Sequence, residues 1–171
     1  MSAEEKPKVT IDLSPVLEAY CRAVFKTPKK DKEITLNRGK REGQAIYAKV
    51  FPVEFKPKES PGNNLVTFIL PVTKNNQYVL RYHFYTIGKM GQEQIHDDLT
   101  VLMDKWLFRV FQRGYRKKYK QDEIITAILR RLNLRKNAVN YDQIKKYDYR
   151  QRCKIEENIM DELLTCSDPV Y

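Results

Sequence analysis

Few residues in this sequence have the types and spacing that catalysis requires. The chain has two histidines, and only His96 stands beside acids, in the run His96, Asp97 and Asp98. Successive residues on a helix point about 100° apart, so these three side chains do not converge on one metal ion. The two acids are better explained as favourable charges near the positive, N-terminal end of a helix. The other histidine, His83, falls in a predicted strand, where a half-buried structural role is expected.

The sequence also lacks the short motifs that mark common enzymes. It contains no glycine-rich phosphate loop, no GxSxG or HExxH and no CxxC pair. Its three widely spaced cysteines, Cys21, Cys153 and Cys166, favour free thiols in a reducing compartment and argue against a zinc site. We therefore expect a protein that is not an enzyme, with no cofactor, no metal and no small-molecule substrate.

The strongest signal is the distribution of positive charge. The net charge of the 171 residues is +10, and the segment from Lys105 to Lys154 holds 16 Lys or Arg against 4 Asp or Glu, a net of +12. Residues 155–171 carry five acids and no base. A basic segment of this kind attracts polyanions, and nucleic acid is the usual partner, although an acidic protein surface or an anionic membrane would attract it too. The plainer interpretation is a set of solvated helix faces rich in Lys and Arg.

Aromatic residues are interleaved with cations in one stretch, Tyr141–Arg152, whose sequence is YDQIKKYDYRQR. Cations neutralise phosphates and an exposed ring can stack on a base, so the mixture suits nucleic acid. Tyrosines at helical spacing are also common in protein cores. Both interpretations stay open, and the three tyrosines could divide between them.

The predicted fold that positions these residues is α+β. Residues 1–12 are expected to form a disordered arm, and a short helix follows from Ser14-Pro15 to about Phe25. Alternating apolar residues then predict a small antiparallel sheet of three to four strands. Its strands include Gln44–Phe55 and a hairpin made of Leu65–Thr73 and Tyr78–Ile87.

A C-terminal bundle of three to four helices is predicted after the sheet, led by one long helix over Gly91–Lys120. Its apolar stripe is expected to turn basic, with Gly114 as a weak point. The stripe is Ile95, Leu99, Leu102, Trp106 and Val110, widened by Met103 and Leu107 and continued by Arg113, Lys117 and Lys120.

Two further helical segments are predicted beyond the long helix. A second helix, opened by Asp122 and Glu123, should end near Leu132. The third segment, Tyr141–Leu164, shows a phase slip near 149–152 that indicates a kink or two helices. Residues 13–120 would then form an α+β core, and residues 121–171 a basic helical region with an acidic tail.

The leading hypothesis is a non-enzymatic module that binds nucleic acid through the phosphate backbone. No run of 18 apolar residues and no signal-peptide core occurs, so we expect no membrane partner and an intracellular location, or packaging in a particle assembled inside the cell. The residues expected to contact nucleic acid are Arg109, Arg113, Arg116, Lys117, Lys118, Lys120, Arg130, Arg131, Arg135, Lys136, Lys145, Lys146, Tyr149, Arg150 and Arg152.

Two alternatives accompany this hypothesis. Residues 124–152 resemble a helix-turn-helix in outline, which would turn Gln143, Lys145, Lys146 and Tyr149 toward a groove. The connector is too long and contains no glycine, however. The other alternative is a structural subunit of a larger protein or nucleoprotein assembly, for example a virion component. Charged termini, a proline at a strand edge and spare aromatics favour it, and it could involve protein partners or self-assembly.

Overall fold

The computed structural model describes residues 6–58, 61–76 and 84–165 and has the predicted α+β organisation. The chain divides into two compact units, Met1–Leu102 and Met103–Tyr171. This division falls inside a long helix, whereas the sequence analysis placed the end of the core at residue 120. The difference arises because periodicity locates a helix but does not indicate where along it the packing partners change.

The first unit contains a three-stranded sheet with the order β1 (Lys8–Asp12), β4 (Leu65–Ile69) and β2 (Glu33–Thr35). Strands β1 and β4 are antiparallel, but β2 runs parallel to β4. The prediction of a purely antiparallel sheet was therefore wrong. Parallel pairing requires a long crossover connection, and the 29 residues between β2 and β4 supply one.

Strand β1 corrects the prediction of a disordered arm over residues 1–12. Within the described part of that arm, Val9 and Ile11 are buried and face Phe68 and Val66 on β4. The hydroxyl groups of Thr10 and Thr67 lie 3.1 Å apart on the other face of this pair. This strand contains β-branched residues, which favour strands, but the charged residues before it favoured the prediction of a disordered arm.

Helix α1 (Pro15–Val24) matches its sequence signals closely. The Ser14 hydroxyl accepts a hydrogen bond from the Leu17 N–H, and Pro15 occupies the first helical turn. Its buried side chains include Leu17 and Tyr20. Phe25, which ends the helix, meets Phe68 of the sheet edge-to-face, with ring centroids 6.5 Å apart. The apolar face of the helix thus completes the core of this unit.

Helix α2 (Arg41–Tyr47) overturns the first part of the predicted strand Gln44–Phe55, of which only Phe51–Val53 is a strand. Its buried residues, Gly43 and Ile46, are three apart, which is helical spacing. Gly43 is required here because an added Cβ would lie 1.9 Å from the carbonyl oxygen of Asn37. Apolar alternation over a run this short does not separate a strand from a helix.

The predicted hairpin is also corrected where the structure describes it. Strand β5 (Phe84–Thr86) pairs antiparallel with β3 (Phe51–Val53) and not with β4. Residues 77–83, which hold the end of the predicted turn and the start of the second predicted hairpin strand, Tyr78–Ile87, lie outside the described residues. Tyr85 is paired with Pro52, whose missing N–H suits a two-stranded sheet with open edges.

Three helices follow the strands in the described part of the chain and confirm the predicted C-terminal bundle. They are α3 (Lys89–Arg116), α4 (Gln121–Arg131) and α5 (Ala138–Thr165). Asp122 and Glu123 lie in the first turn of α4, as predicted. Helix α5 is continuous, which excludes two separate helices, one of the two alternatives predicted there. In the described ranges, no helix combines the length and apolar character needed to cross a lipid bilayer.

The start of α3 removes one interpretation of the acids beside His96. The helix begins at Lys89, so Asp97 and Asp98 lie in its third turn. The favourable effect of the helix dipole is confined to the first turn. These exposed acids therefore do not stabilise the helix N-terminus as expected from the sequence.

Candidate nucleic-acid interface

All fifteen residues predicted to contact nucleic acid lie in the second unit, and fourteen of them are exposed. The exception is Arg152, which is partly buried. Exposure alone does not make a cation available, because several of these side chains already have a partner within the protein. The site is therefore defined by which cations are unpaired and by what holds them in place.

The basic residues of α3 do not continue its apolar stripe. In the second unit the buried residues of α3 are Met103, Leu107, Phe111 and Gly114, at intervals of three or four. Arg113 lies on the opposite, exposed side, and Lys117 follows the end of the helix. The predicted stripe is in phase at Ile95 and Leu99, which are buried, but from Leu102 onward, including its basic end, it is out of phase by one residue. The half-buried residues Leu102, Trp106 and Val110 flank the core and do not form its centre.

An exposed basic row does run along α3, however. Lys105, Arg109 and Arg113 follow one another at intervals of four, so they share one face of the helix. Lys105 was missed as a site residue, although its spacing from Arg109 was a visible signal. Of these three, Arg109 uses its Nε–H to donate to the Lys105 carbonyl oxygen at 3.2 Å.

Gly114 is a point of close packing and not the predicted weak point. It is buried, and a Cβ added there would lie 2.5 Å from Cδ1 of Ile124 on α4. Only glycine allows the two helices to approach this closely. The contact brings α4 back along α3 directly after the intervening turn.

Residues 117–120 form that turn, and its geometry exposes three lysines. Lys118 has φ 62°, the left-handed conformation that commonly ends a helix. The N–H of Tyr119 donates to Gly114 O at 3.0 Å and that of Lys118 donates to Tyr115 O at 2.9 Å, a Schellman motif. Lys117, Lys118 and Lys120 are exposed, so the helix does not project into solvent but ends in a compact basic turn.

A buried carboxylate holds this turn against α5. Asp148 has no exposed surface, and its Oδ2 accepts hydrogen bonds from the Tyr115 hydroxyl at 2.8 Å and from the Gln121 amide. Arg152 donates to the same oxygen at 2.7 Å. We name Tyr115, Gln121, Asp148 and Arg152 the Asp148 cluster. It joins the end of α3, the start of α4 and the middle of α5.

Arg152 therefore has a structural role, and it is left out of the cations considered available to a ligand. Its guanidinium also stacks over the Tyr115 ring, with Cζ 4.4 Å from the centroid. Hydrogen bonds to Asp148 raise the pKa of the Arg152 guanidinium, which therefore stays positively charged. Burial, followed by the hydrogen bond to Asp148, raises the pKa of the Tyr115 hydroxyl. Composition could not reveal this, because Tyr115 and Asp148 are 33 residues apart.

Two other predicted cations are paired. Arg116 forms an ion pair with Glu162 near the end of α5. Lys136 lies 3.1 Å from the Asp122 carboxylate and above the Tyr141 ring. Hydrogen bonds from Lys136 and Tyr141 lower the pKa of Asp122. These exposed pairs are weak and open to competition, but their cations are less available than unpaired ones.

The three tyrosines of the 141–152 stretch differ in their environments. Tyr147 stacks on Phe111, with centroids 6.3 Å apart, and donates its hydroxyl proton to the Asp104 carbonyl oxygen at 2.6 Å. Tyr149, two residues later, is 84% exposed. Tyr141 is half-buried beside Lys136. One tyrosine thus belongs to the core and another to the surface.

Lys145, Lys146 and Arg150 surround Tyr149 on the exposed side of α5. Neither lysine has an ion pair with any residue that the structure describes. Burial raises the pKa of the Asp104 carboxyl, and the nearby charge of Arg150 lowers it by a smaller amount. These residues form the exposed basic part of α5.

The remaining cations lie at the far end of α4. Arg130 and Arg131 occupy its last turn, where positive charge suits the helix dipole, and Arg135 follows in the connector. The 11 residues of α4 separate them from the Lys117–Lys120 turn by about 16 Å. They are therefore set apart from the lysines of that turn.

The helix-turn-helix alternative fits the observed geometry poorly. Residues 132–137 separate α4 from α5, more than the three or four of that motif, and α5 spans 28 residues. Asn133, with φ 52°, ends α4 in the position that glycine often takes.

The cysteines differ in environment. Cys21 is fully buried in the first unit, and burial raises the pKa of its thiol to about 12. Cys153 is an exposed free thiol on α5, one helical turn after Tyr149.

Comparisons with protein-family models, with curated proteins and with solved structures found no match to this chain.

Proposed function

We propose that this protein is a non-enzymatic, intracellular module that binds nucleic acid through the phosphate backbone. The binding surface is the turn–helix surface, which consists of Lys117, Lys118, Lys120, Lys145, Lys146, Tyr149 and Arg150. The observation that carries the proposal is the Asp148 cluster. Its Gln121–Asp148 hydrogen bond joins the immediate neighbours of Lys120 and Tyr149, so the basic turn and the basic part of α5 lie side by side.

Electrostatics favours phosphate as the ligand of this surface. Its lysines point to solvent, and phosphate contacts by lysine need no fixed fork geometry. Neutralising six phosphates would release enough counterions to lower the affinity about a thousandfold between 50 and 200 mM salt. The exposed row of Lys105, Arg109 and Arg113 on α3 would extend the footprint of a longer ligand.

The test is fluorescence anisotropy of labelled oligonucleotides titrated at several salt concentrations. The variant Lys117→Glu, Lys145→Glu, Lys146→Glu removes three unpaired cations of the surface. We expect weaker binding and a plot of log affinity against log salt that is shallower by about 3, one for each lost phosphate contact. A salt-independent binding curve for the unchanged protein would exclude phosphate-backbone binding.

The first unit offers a matched control. Lys29, Lys30 and Lys32 are also exposed and have no ion pair with any described residue. Their replacement by glutamate changes the net charge by the same amount but leaves the turn–helix surface intact. We expect a much smaller loss of affinity. Equal losses in the two triple variants would show that net charge, and not this surface, determines binding.

A second candidate function, a subunit of a larger assembly, is favoured by the end of α5. Met160 and Leu164 are 56% and 64% exposed there, and Glu157 and Asp161 lie among them. Exposed apolar residues with acidic neighbours suit contact with another protein. Sedimentation over a range of concentrations tests this: self-association that Met160→Lys and Leu164→Lys abolish supports the candidate, and a monomer at all concentrations counts against self-assembly.

A further inference from the structure

Tyr149 has the most exposed ring among the described residues. Its relative exposure of 84% compares with 80% for Phe55 and 52% for Tyr119. In the part of the chain that the structure describes, its ring has no aromatic or cation–π partner and its hydroxyl no hydrogen bond. The ring is therefore accessible to a flat ligand.

Cations lie on both sides of this ring along the helix. Lys145 and Lys146 precede it by four and three residues, so they lie one turn away on the same side of α5, and Arg150 is adjacent. A nucleotide whose base stacks on the ring can direct its phosphate toward these positive groups. Stacking and charge are then both satisfied by one ligand.

The helix that carries the ring is fixed at this point. The preceding residue is Asp148, which accepts hydrogen bonds from three side chains on α3, α4 and α5. Tyr147, on the inner side, is held by Phe111 and by Asp104 O. A rigid platform loses less conformational entropy when a base stacks on it than a mobile one does.

The exposed ring of Tyr149 favours single-stranded over double-stranded nucleic acid. In a duplex the bases are paired and stacked on one another, so a side chain on the surface of a helix meets edges and phosphates. A ring stacks on a base only where that base is unpaired, as in single strands. We infer, resting on the proposed function, that the turn–helix surface binds single-stranded nucleic acid with one base stacked on Tyr149.

The experiment compares four labelled polyanions by anisotropy: a single-stranded oligonucleotide, a strand of the same length that is abasic at every position, the duplex of the oligonucleotide, and inorganic polyphosphate. For Tyr149→Ala we expect affinity for the single strand to fall about 5- to 150-fold, the range of base–aromatic stacking. Its affinity for polyphosphate and for the abasic strand should be unchanged, since those ligands offer no base. Tyr149→Phe keeps the ring and should bind as the unchanged protein does.

Phe55 supplies the matched control, because it is an aromatic residue of nearly equal exposure in the first unit. Phe55→Ala should bind every ligand normally. If Tyr149→Ala binds the single strand normally, or loses polyphosphate equally, the stacking inference is wrong while phosphate binding stands. Duplex affinity equal to or above that for the single strand also overturns it. If none of the four polyanions binds at low salt, the proposed function itself fails.

Discussion

The inner and outer sides of helix α5 use the same residue types in opposite ways. On the inner side, Tyr147 and Arg152 are held by Phe111, Asp104 O and the Asp148 cluster. On the outer side, Tyr149 and Arg150 are exposed. All four lie within six consecutive residues. Helical phase, and not residue type, therefore decides which tyrosine and which arginine can reach a ligand.

The largest expected effect tests the inner side. Asp148→Asn removes the charge that three donors share, and we expect the free energy of unfolding to fall by about 2–3 kcal/mol, because hydrogen bonds to a buried charged group are among the stronger ones. Urea denaturation measures this. Asp142→Asn, at an exposed acid of the same helix, should change stability by less than about 0.5 kcal/mol. Similar losses in both variants would contradict a structural role for the cluster.

A smaller effect is expected at high pH. Burial, and next the charge of Asp104, raises the pKa of Tyr147 to about 12, above the value of about 10 expected in the unfolded chain. Because the folded pKa is the higher one, this tyrosine contributes stability that is complete below pH 10 and is lost as the pH rises toward 12. Tyr147→Phe should make the fall in unfolding free energy between these values less steep.

The outer side supplies the control for that titration. Tyr149→Phe removes a hydroxyl that has no hydrogen bond in the described structure, so the free energy of unfolding at neutral pH should not change. At neutral pH, Tyr147→Phe should cost about 1 kcal/mol for its lost hydrogen bond to Asp104 O. If the two phenylalanine variants unfold identically at every pH, the distinction between the inner and outer tyrosine is wrong.

The smallest effect separates stability from binding at one residue. Lys118 adopts φ 62°, which is unfavourable for a residue with a Cβ, so Lys118→Gly should stabilise the protein by about 0.5–1 kcal/mol. It should also reduce the salt dependence of nucleic-acid binding by about 1. Lys117→Gly removes an equal charge without relieving a left-handed conformation, and it should weaken binding with no gain in thermal stability. A destabilised Lys118→Gly would count against the Schellman turn.

The sequence predicted elements best where a local chemical signal marks them. Ser14 and Pro15 stand at the start of α1, as the capping rules predict. Asp122 and Glu123 lie in the first turn of α4, as the dipole rule predicts. The prediction failed for segments whose hydrophobic period is short or ambiguous. Strand β1 was predicted as part of a disordered arm, and the second half of α2 as a strand. The parallel pairing of β2 depends on contacts distant in sequence, which no local pattern encodes.

The candidate site follows a similar division. Charge excess is a property of composition, so the exposed cations Lys117, Lys145 and Lys146 could be named from the sequence. The structural role of Arg152 could not be predicted from the sequence, because it depends on an aspartate that is buried among partners from two other helices. The phase error on α3 has the same origin: two neighbouring stripes were both apolar, and only packing chooses between them.

The different environments of Cys21 and Cys153 allow selective labelling of the outer side of α5. Cys21 is sealed in the first unit and its raised pKa keeps it protonated, whereas Cys153 is exposed one turn from Tyr149. With Cys166 replaced by serine, a maleimide dye should label the folded chain at Cys153 alone. The residue is a natural attachment point for a reporter, close enough to Tyr149 to register the arrival of a ligand without any engineered cysteine.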